Sequence, residues 1–265
     1  MERKEIYLDM NIIIDYMNYY KDYKNIELVK KINFIGKNNQ NIRFPYSPAH
    51  IEEIAVINRK STKSKKYINQ NFRIICKLTL NYEYYPPYFD KNIDFKFENP
   101  RICYQRVMKD YDATMYAENL EYGKVEKWKS IQLSITLENL NKISPKDIFL
   151  NIEILNSLKK ILEIPLRDNI PTYEDIYTKF YLLEGIFELI FDFLDYIGYK
   201  NDKQVYKREK HRSRMHDITH AIYATKASII VTNDNNFRDK LLSIYTLLKV
   251  PTVILSKEEF LEYDI

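Results

Sequence analysis

A chain of 265 residues that is 45% hydrophobic and 29% charged can bury a core of its own, which excludes a disordered tail. A formal charge of +4 and a pI near 8.7 do not by themselves mark a polyanion partner, so that case rests on where the charges fall. Two cysteines, Cys76 and Cys103, exclude a disulfide framework and lack zinc-ligand spacing, so they read as reduced thiols in a cytoplasmic protein.

Met1-Glu2-Arg3-Lys4-Glu5 leads directly into Glu5 to Asp9 (EIYLD), a short apolar run read as a strand, so no signal peptide is expected. A helical pattern follows from Ile12 to Ile35 and ends at Gly36. Ile42 to Pro45 reads as a brief strand. Ser47-Pro48 then opens a helix running to Arg59, with Ser as cap and Pro at the first helical position. From Ser61 to Asn201 amphipathic helical patterns dominate, punctuated by the Tyr/Pro stretch Tyr82 to Tyr88 and by Pro145, Pro165 and Pro171. The apolar stretch Ile186 to Ile197 carries Glu188, Asp192 and Asp195, so it reads as a core helix and no membrane span is expected. Helical pattern resumes from Lys203 to Lys226. A buried strand at Ile229 to Thr232 and a polar break at Asn233 to Asn236 follow, then a last strand at Thr252 to Leu255 and a short helix at Lys257 to Tyr263. Strands alternating with helices predict an α/β fold with a central, mostly parallel sheet. Residues 1–60 and 203–265 form its two parts, and residues 61–202 form an all-helical insertion.

Four acidic positions fall where such a fold gathers them. Asp9 and Asp234 each lie just past a strand's carboxyl end, where open α/β sheets bind their ligands. Glu52 and Glu53 lie on the helix opened by Ser47-Pro48. Asp217 precedes Ala221, Ala224 and Ala227, small residues that let its helix pack closely on the sheet. Carboxylates crowded in one pocket repel one another unless a cation neutralises them, and oxygen donors without cysteine favour Mg²⁺ or Mn²⁺ over zinc. Such an ion activates water against a phosphodiester.

The segments Leu8-Asp9-Met10-Asn11, Ser47-Pro48-Ala49-His50-Ile51-Glu52-Glu53-Ile54, Asp217-Ile218-Thr219-His220-Ala221 and Ile230-Val231-Thr232-Asn233-Asp234 together resemble the PIN domain superfamily. The resemblance implies a three-layer PIN-like fold and a Mg²⁺- or Mn²⁺-dependent nuclease, RNA being the more usual substrate than DNA. Carried over by position, Asp9, Glu53, Asp217 and Asp234 are the ligands. Glu53 is chosen over Glu52 because it directly precedes the apolar residue of the motif. Asn11 and Thr232 match polar positions that support the ligands. His50 and His220, each one helical turn from a ligand, fall beside the scissile phosphate or behind the ligands. The resemblance also suggests a bacterial stress, toxin or antiphage effector, although the small toxin members lack an insertion of this size.

Each acid also has a plainer reading: Asp9 as a helix cap, Glu52 or Glu53 as a solvated face, Asp217 paired with Arg214, Asp234 as an Asx turn. A zinc site of His211, His216 and His220 is set aside, because no cysteine lies nearby. Basic residues flank the insertion on both sides, and Lys60, Lys63, Arg212 and Arg214 are the candidates for phosphate contacts. Tyr82, Tyr84, Tyr85 and Tyr88 either stack unpaired bases or, as preferred, pack as a Pro/Tyr loop. The rivals to an RNA nuclease are a DNA nuclease and a non-catalytic nucleic-acid-binding module. A homo-oligomer or a regulatory protein partner is left open.

Overall fold

The computed structural model describes residues 4–39, 41–60, 64–88, 90–109, 140–200 and 208–265, with the side chains of 20–22, 56–60, 64–67 and 208–213 excepted. The first strand, β1 (Lys4–Leu8), alternates its faces: Ile6 and Leu8 enter one apolar cluster and Tyr7 the other. Two helices follow, α1 (Met10–Asp22) and α2 (Ile26–Asn38), where the sequence pattern predicted one. Tyr23 (φ 56°) and Asn25 (φ 59°) adopt left-handed backbone between them, and the Tyr23 amide closes α1 on the Tyr19 carbonyl. Neither is glycine, so the break carries no simple sequence mark. Next come β2 (Ile42–Arg43) and α3 (Pro48–Lys60), the latter starting at the proline as expected.

The segment expected to be all-helical is corrected by a β-hairpin. After α4 (Ser64–Thr79), strands β3 (Tyr82–Tyr85) and β4 (Asp94–Phe97) pair antiparallel, followed by α5 (Pro100–Lys109). Tyr46 ties β3 to the main body: its amide donates to the Tyr82 carbonyl at 2.9 Å, and the Tyr84 amide donates to its carbonyl at 2.7 Å. The Tyr82 and Tyr84 hydroxyls both donate to the Glu5 carboxylate, so these two rings are packed strand residues and are closed to base stacking. Buried Glu83 is balanced by Arg106 (2.6 Å) and receives the Tyr46 hydroxyl (3.0 Å). Tyr82-Glu83-Tyr84 alternates as a strand does, but over four residues the pattern is too short to stand out.

The chain continues through α6 (Ile152–Ile161), α7 (Tyr173–Ile176), α8 (Phe180–Tyr196) and α9 (Arg208–Ala224). It ends with β5 (Ile229–Thr232), α10 (Asn235–Leu248), β6 (Val253–Ser256) and α11 (Lys257–Glu262). The main sheet has the order β2-β1-β5-β6, and every pairing in it is parallel. One face carries Ile6, Leu8, Ile229 and Val231 against α1, α2, α3 and α11. The other carries Tyr7 and Ile230 against α8, α9 and α10. The fold is therefore mixed α/β with a central parallel sheet covered on both faces. Residues 140–199 share the second cluster: Phe187 and Ile190 of α8 are wholly buried there, each stabilising the fold by about 1.5–3 kcal/mol. Among the described residues no helix is long and apolar enough to cross a membrane.

Candidate metal centre

Leu8 pairs with Val231, so the next residues, Asp9 and Thr232, stand side by side at the sheet's carboxyl edge. Asp9 caps α1, its Oδ1 accepting the Met10 amide at 2.7 Å. That is the plainer reading fulfilled, but only half of what the carboxylate does. Its Oδ2 accepts from Asn11 Nδ2 (2.6 Å) and from Thr232 Oγ1 (2.7 Å). Thr232 Oγ1 in turn accepts the Asp234 amide at 3.1 Å, and Asn11 Oδ1 accepts the Asn233 amide at 3.0 Å. Two strand ends are thus locked around one acid.

Helices α3 and α9 supply the rest. Ile51 and Ile54 bury one side of α3 in the first cluster, Ala49 enters the other, and Ala221 and Ala224 bury one side of α9, leaving Glu53 and His220 to meet over the rim. His220 Nε2 lies 2.8 Å from Glu53 Oε1 and 3.9 Å from Asp9 Oδ1. Donor atoms of Asp9, Glu53 and His220 all fall within 4.8 Å of one another. Beneath them runs a buried polar chain. The Tyr7 hydroxyl sits 2.7 Å from His220 Nδ1 and 2.7 Å from Ser47 Oγ, and Ser47 Oγ sits 3.3 Å from His50 Nδ1. The Ser47 amide donates to His50 Nδ1 (3.0 Å), which leaves His50 Nε2–H to donate to the Leu8 carbonyl (2.8 Å). His50 therefore faces the protein interior, away from any scissile phosphate.

Asp217 makes no hydrogen bond or salt bridge among the described residues. Burial, then the charges of Asp9, Asp234 and Glu53, raise its pKa well above the ordinary carboxylate value. Asp9 is also raised, by burial first, with His220 opposing and Glu53 adding to the shift. For Glu53 burial acts upward, but the hydrogen bond and charge of His220 prevail and hold it below its usual value. Burial pulls His220 down, yet Glu53 and Asp9 leave it raised. His50, desolvated beside His220, falls to about 3 and stays neutral.

The remaining sequence candidates divide. Asp234 caps α10 through the Phe237 amide (2.9 Å) and is solvent-exposed, while still contributing to the field on Asp217. Arg214 pairs neither with Asp217 nor with open solvent: its guanidinium is committed to Asp192 and Asp195 of α8. Lys63 and the side chains of Lys60 and Arg212 lie outside the described residues. Glu52 faces His216 at 3.7 Å, and neither His216 ring nitrogen has a hydrogen-bond partner among the described residues. Tyr7 was not among the sequence candidates, and Ser47 was expected only as a helix cap. Tyr7 stands two residues before Asp9 on a strand, hence on the same face, and a buried tyrosine hydroxyl needs a partner.

Do these residues suit a cation? Asp9, Glu53 and His220 bring two acids and one histidine within reach of a single divalent ion, and Asp217 adds a further acid under the charge of its neighbours. Glu83, Glu98 and Cys103 also cluster, but Arg106 and Lys96 already neutralise that group. Comparison of the chain with models of known protein families, with curated proteins and with solved structures gives no match.

Proposed function

We propose that this protein is a metal-dependent phosphodiesterase of the PIN-like type, acting on nucleic acid, with RNA as its first candidate substrate. The observation that carries the reading is Asp217: a carboxylate in the repulsive field of Asp9, Glu53 and Asp234 with no hydrogen-bond or salt-bridge partner among the described residues. A module that only binds nucleic acid gains nothing from repelling carboxylates.

Asp9, Glu53, Asp217 and Asp234 would hold Mg²⁺ or Mn²⁺, and the bound ion supplies an activated water and neutralises charge on the leaving oxygen. The chain's own part is orientation. Asn11 and Thr232 hold Asp9 by Oδ2 and the Met10 amide holds Oδ1, which keeps Oδ1 3.9 Å from His220 Nε2. His220 aims Glu53, and Tyr7 steadies His220 from below. Beyond Glu53, α3 continues seven residues to Lys60, and α9 begins nine residues before Asp217, so the two helices extend roughly 10 and 13 Å from the acids. Lys60, Lys63 and Arg212 belong to those ends or their flanks, which suits them to phosphates on either side.

The test compares the wild type with Asp217→Asn on labelled single-stranded RNA and DNA, with Mn²⁺, Mg²⁺ or EDTA. Cleavage abolished by both EDTA and the substitution supports the reading and reports which nucleic acid is preferred. Metal-independent cleavage, or equal activity in the variant, overturns it. Binding without cleavage favours the non-catalytic module.

A further inference from the structure

The acids were expected to form an all-oxygen donor set, with His220 at their side. The geometry points to a different centre: we propose that Nε2 of His220 is itself a ligand, so that the cation is held by nitrogen and oxygen together and a first-row transition ion is preferred to Mg²⁺. The inference rests on the metal-centre reading above and sharpens it.

Three observations carry it. First, His220 is 1% exposed, and its Nδ1 is taken up by the Tyr7 hydroxyl at 2.7 Å. Metal-binding histidines have this arrangement, one ring nitrogen fixed by a partner behind and the other aimed at the ion. Second, Nε2 faces two carboxylates at 2.8 and 3.9 Å. Donors sharing one divalent ion at about 2.1 Å stand roughly 3–4 Å apart, so these separations need little adjustment. Third, the network behind His220 is complete. Tyr7, Ser47 and His50 satisfy one another and end on the Leu8 carbonyl, so the one atom of that chain directed at the acids is Nε2.

Imidazole is a poor partner for Mg²⁺, which keeps oxygen donors and its own waters, and a good one for transition ions. Mn²⁺ is the useful probe because carboxylates also suit it and its unpaired electrons report bound nitrogen.

Mn²⁺ is titrated into the untagged, metal-free full chain, with affinity read from the loss of free-ion EPR signal and nitrogen ligation from pulsed-EPR ¹⁴N modulation. The wild type is expected to bind Mn²⁺ with ¹⁴N coupling and to prefer it to Mg²⁺. His220→Gln keeps an N–H donor for Glu53 but should lose the coupling and weaken Mn²⁺ by about tenfold or more, with Mg²⁺ little changed. His216→Gln and His211→Gln should keep the coupling. Should His220→Gln fail to fold, coupling retained in both of these variants still assigns His220, because both His50 nitrogens are occupied. Mn²⁺ bound without ¹⁴N coupling, or coupling that survives in a folded His220→Gln, overturns the proposal and leaves the phosphodiesterase standing. No Mn²⁺ binding at all removes both.

Discussion

The Tyr7 hydroxyl sits 2.7 Å from Nδ1 of His220, so a residue in the middle of a sheet strand sets the direction in which a helix histidine presents its other nitrogen. Both side chains are buried, and their contact joins β1 to α9 directly beneath the acids. Tyr7→Phe keeps the ring in the core and deletes only this link, leaving His220 Nδ1 and Ser47 Oγ each short of a partner. The expected cost is about 1–3 kcal/mol in chemical denaturation, together with roughly tenfold weaker Mn²⁺ binding by calorimetry. A variant that loses stability but binds Mn²⁺ as tightly as wild type would reduce Tyr7 to a packing residue.

The acids also predict how the metal-free protein responds to pH. Asp217 and Asp9 are raised above the ordinary 3.8, so over the window above that value the fold holds protons that the unfolded chain has released. Stability therefore falls as pH rises. His220, raised above 6.5, adds stability that is full below 6.5 and lost as pH climbs through its folded value, which acts in the same direction. Glu53, held below 4.5, opposes this trend only on the acid side of that value. In EDTA, Tm should decline as pH rises above 6.5, less steeply in Asp217→Asn, and saturating Mn²⁺ should flatten the profile. A Tm that rises over that range would contradict the assigned shifts.

What could be read beforehand depended on whether the signal was local. Asp9 at the end of EIYLD and Asp234 after IIVT were legible because a parallel sheet puts strand ends on one rim, and β1 and β5 are in fact neighbours. The turn spacing of His50 and Glu53, and the small residues after Asp217, likewise need only helix geometry. The hairpin at Tyr82–Phe97 was not legible. Its strands are only four residues long and are joined through a Pro-containing stretch, too short for the alternation in Tyr82-Glu83-Tyr84 and Phe95-Lys96-Phe97 to stand out, and Arg106, which makes buried Glu83 tolerable, lies on another element. The ligand-like role of His220 was hidden for the same reason, since it is specified by Tyr7, 213 residues away in sequence.

Thr232 tests whether the lock on Asp9 matters for the centre. Its hydroxyl donates to Asp9 Oδ2 and accepts the Asp234 amide, so Thr232→Val breaks both contacts while preserving the β-branched shape of a strand residue. The variant should lose about 1–2 kcal/mol of stability and bind Mn²⁺ about tenfold more weakly, and Thr232→Ser should restore most of both. If valine unfolds the protein no more than serine does and metal affinity is unchanged, Asp9 is held adequately by Asn11 alone.

Arg106 provides the contrasting case, a charge cluster that stabilises without binding metal. Its guanidinium reaches Glu83 at 2.6 Å and Glu98 at 2.7 Å, and the Glu83 side chain has no solvent exposure. Arg106→Met keeps the aliphatic stem but strands a buried carboxylate. Lys96, 3.7 Å from Glu83, compensates only in part. The expected loss is about 2–4 kcal/mol, below the upper range for a buried pair because that lysine remains. Adding Glu83→Gln should recover part of the loss, since the charge that lacked its partner is then gone. Mn²⁺ affinity should stay within about twofold of wild type in both variants, as Arg106 and Glu83 bond each other, Glu98, Lys96 and Tyr46 and none of the proposed donors. Denaturation curves for the single and double variants, with Mn²⁺ titrations alongside, separate the two clusters. A large drop in Mn²⁺ affinity in folded Arg106→Met would show that the Glu83 cluster and the acids of the rim form one coupled system.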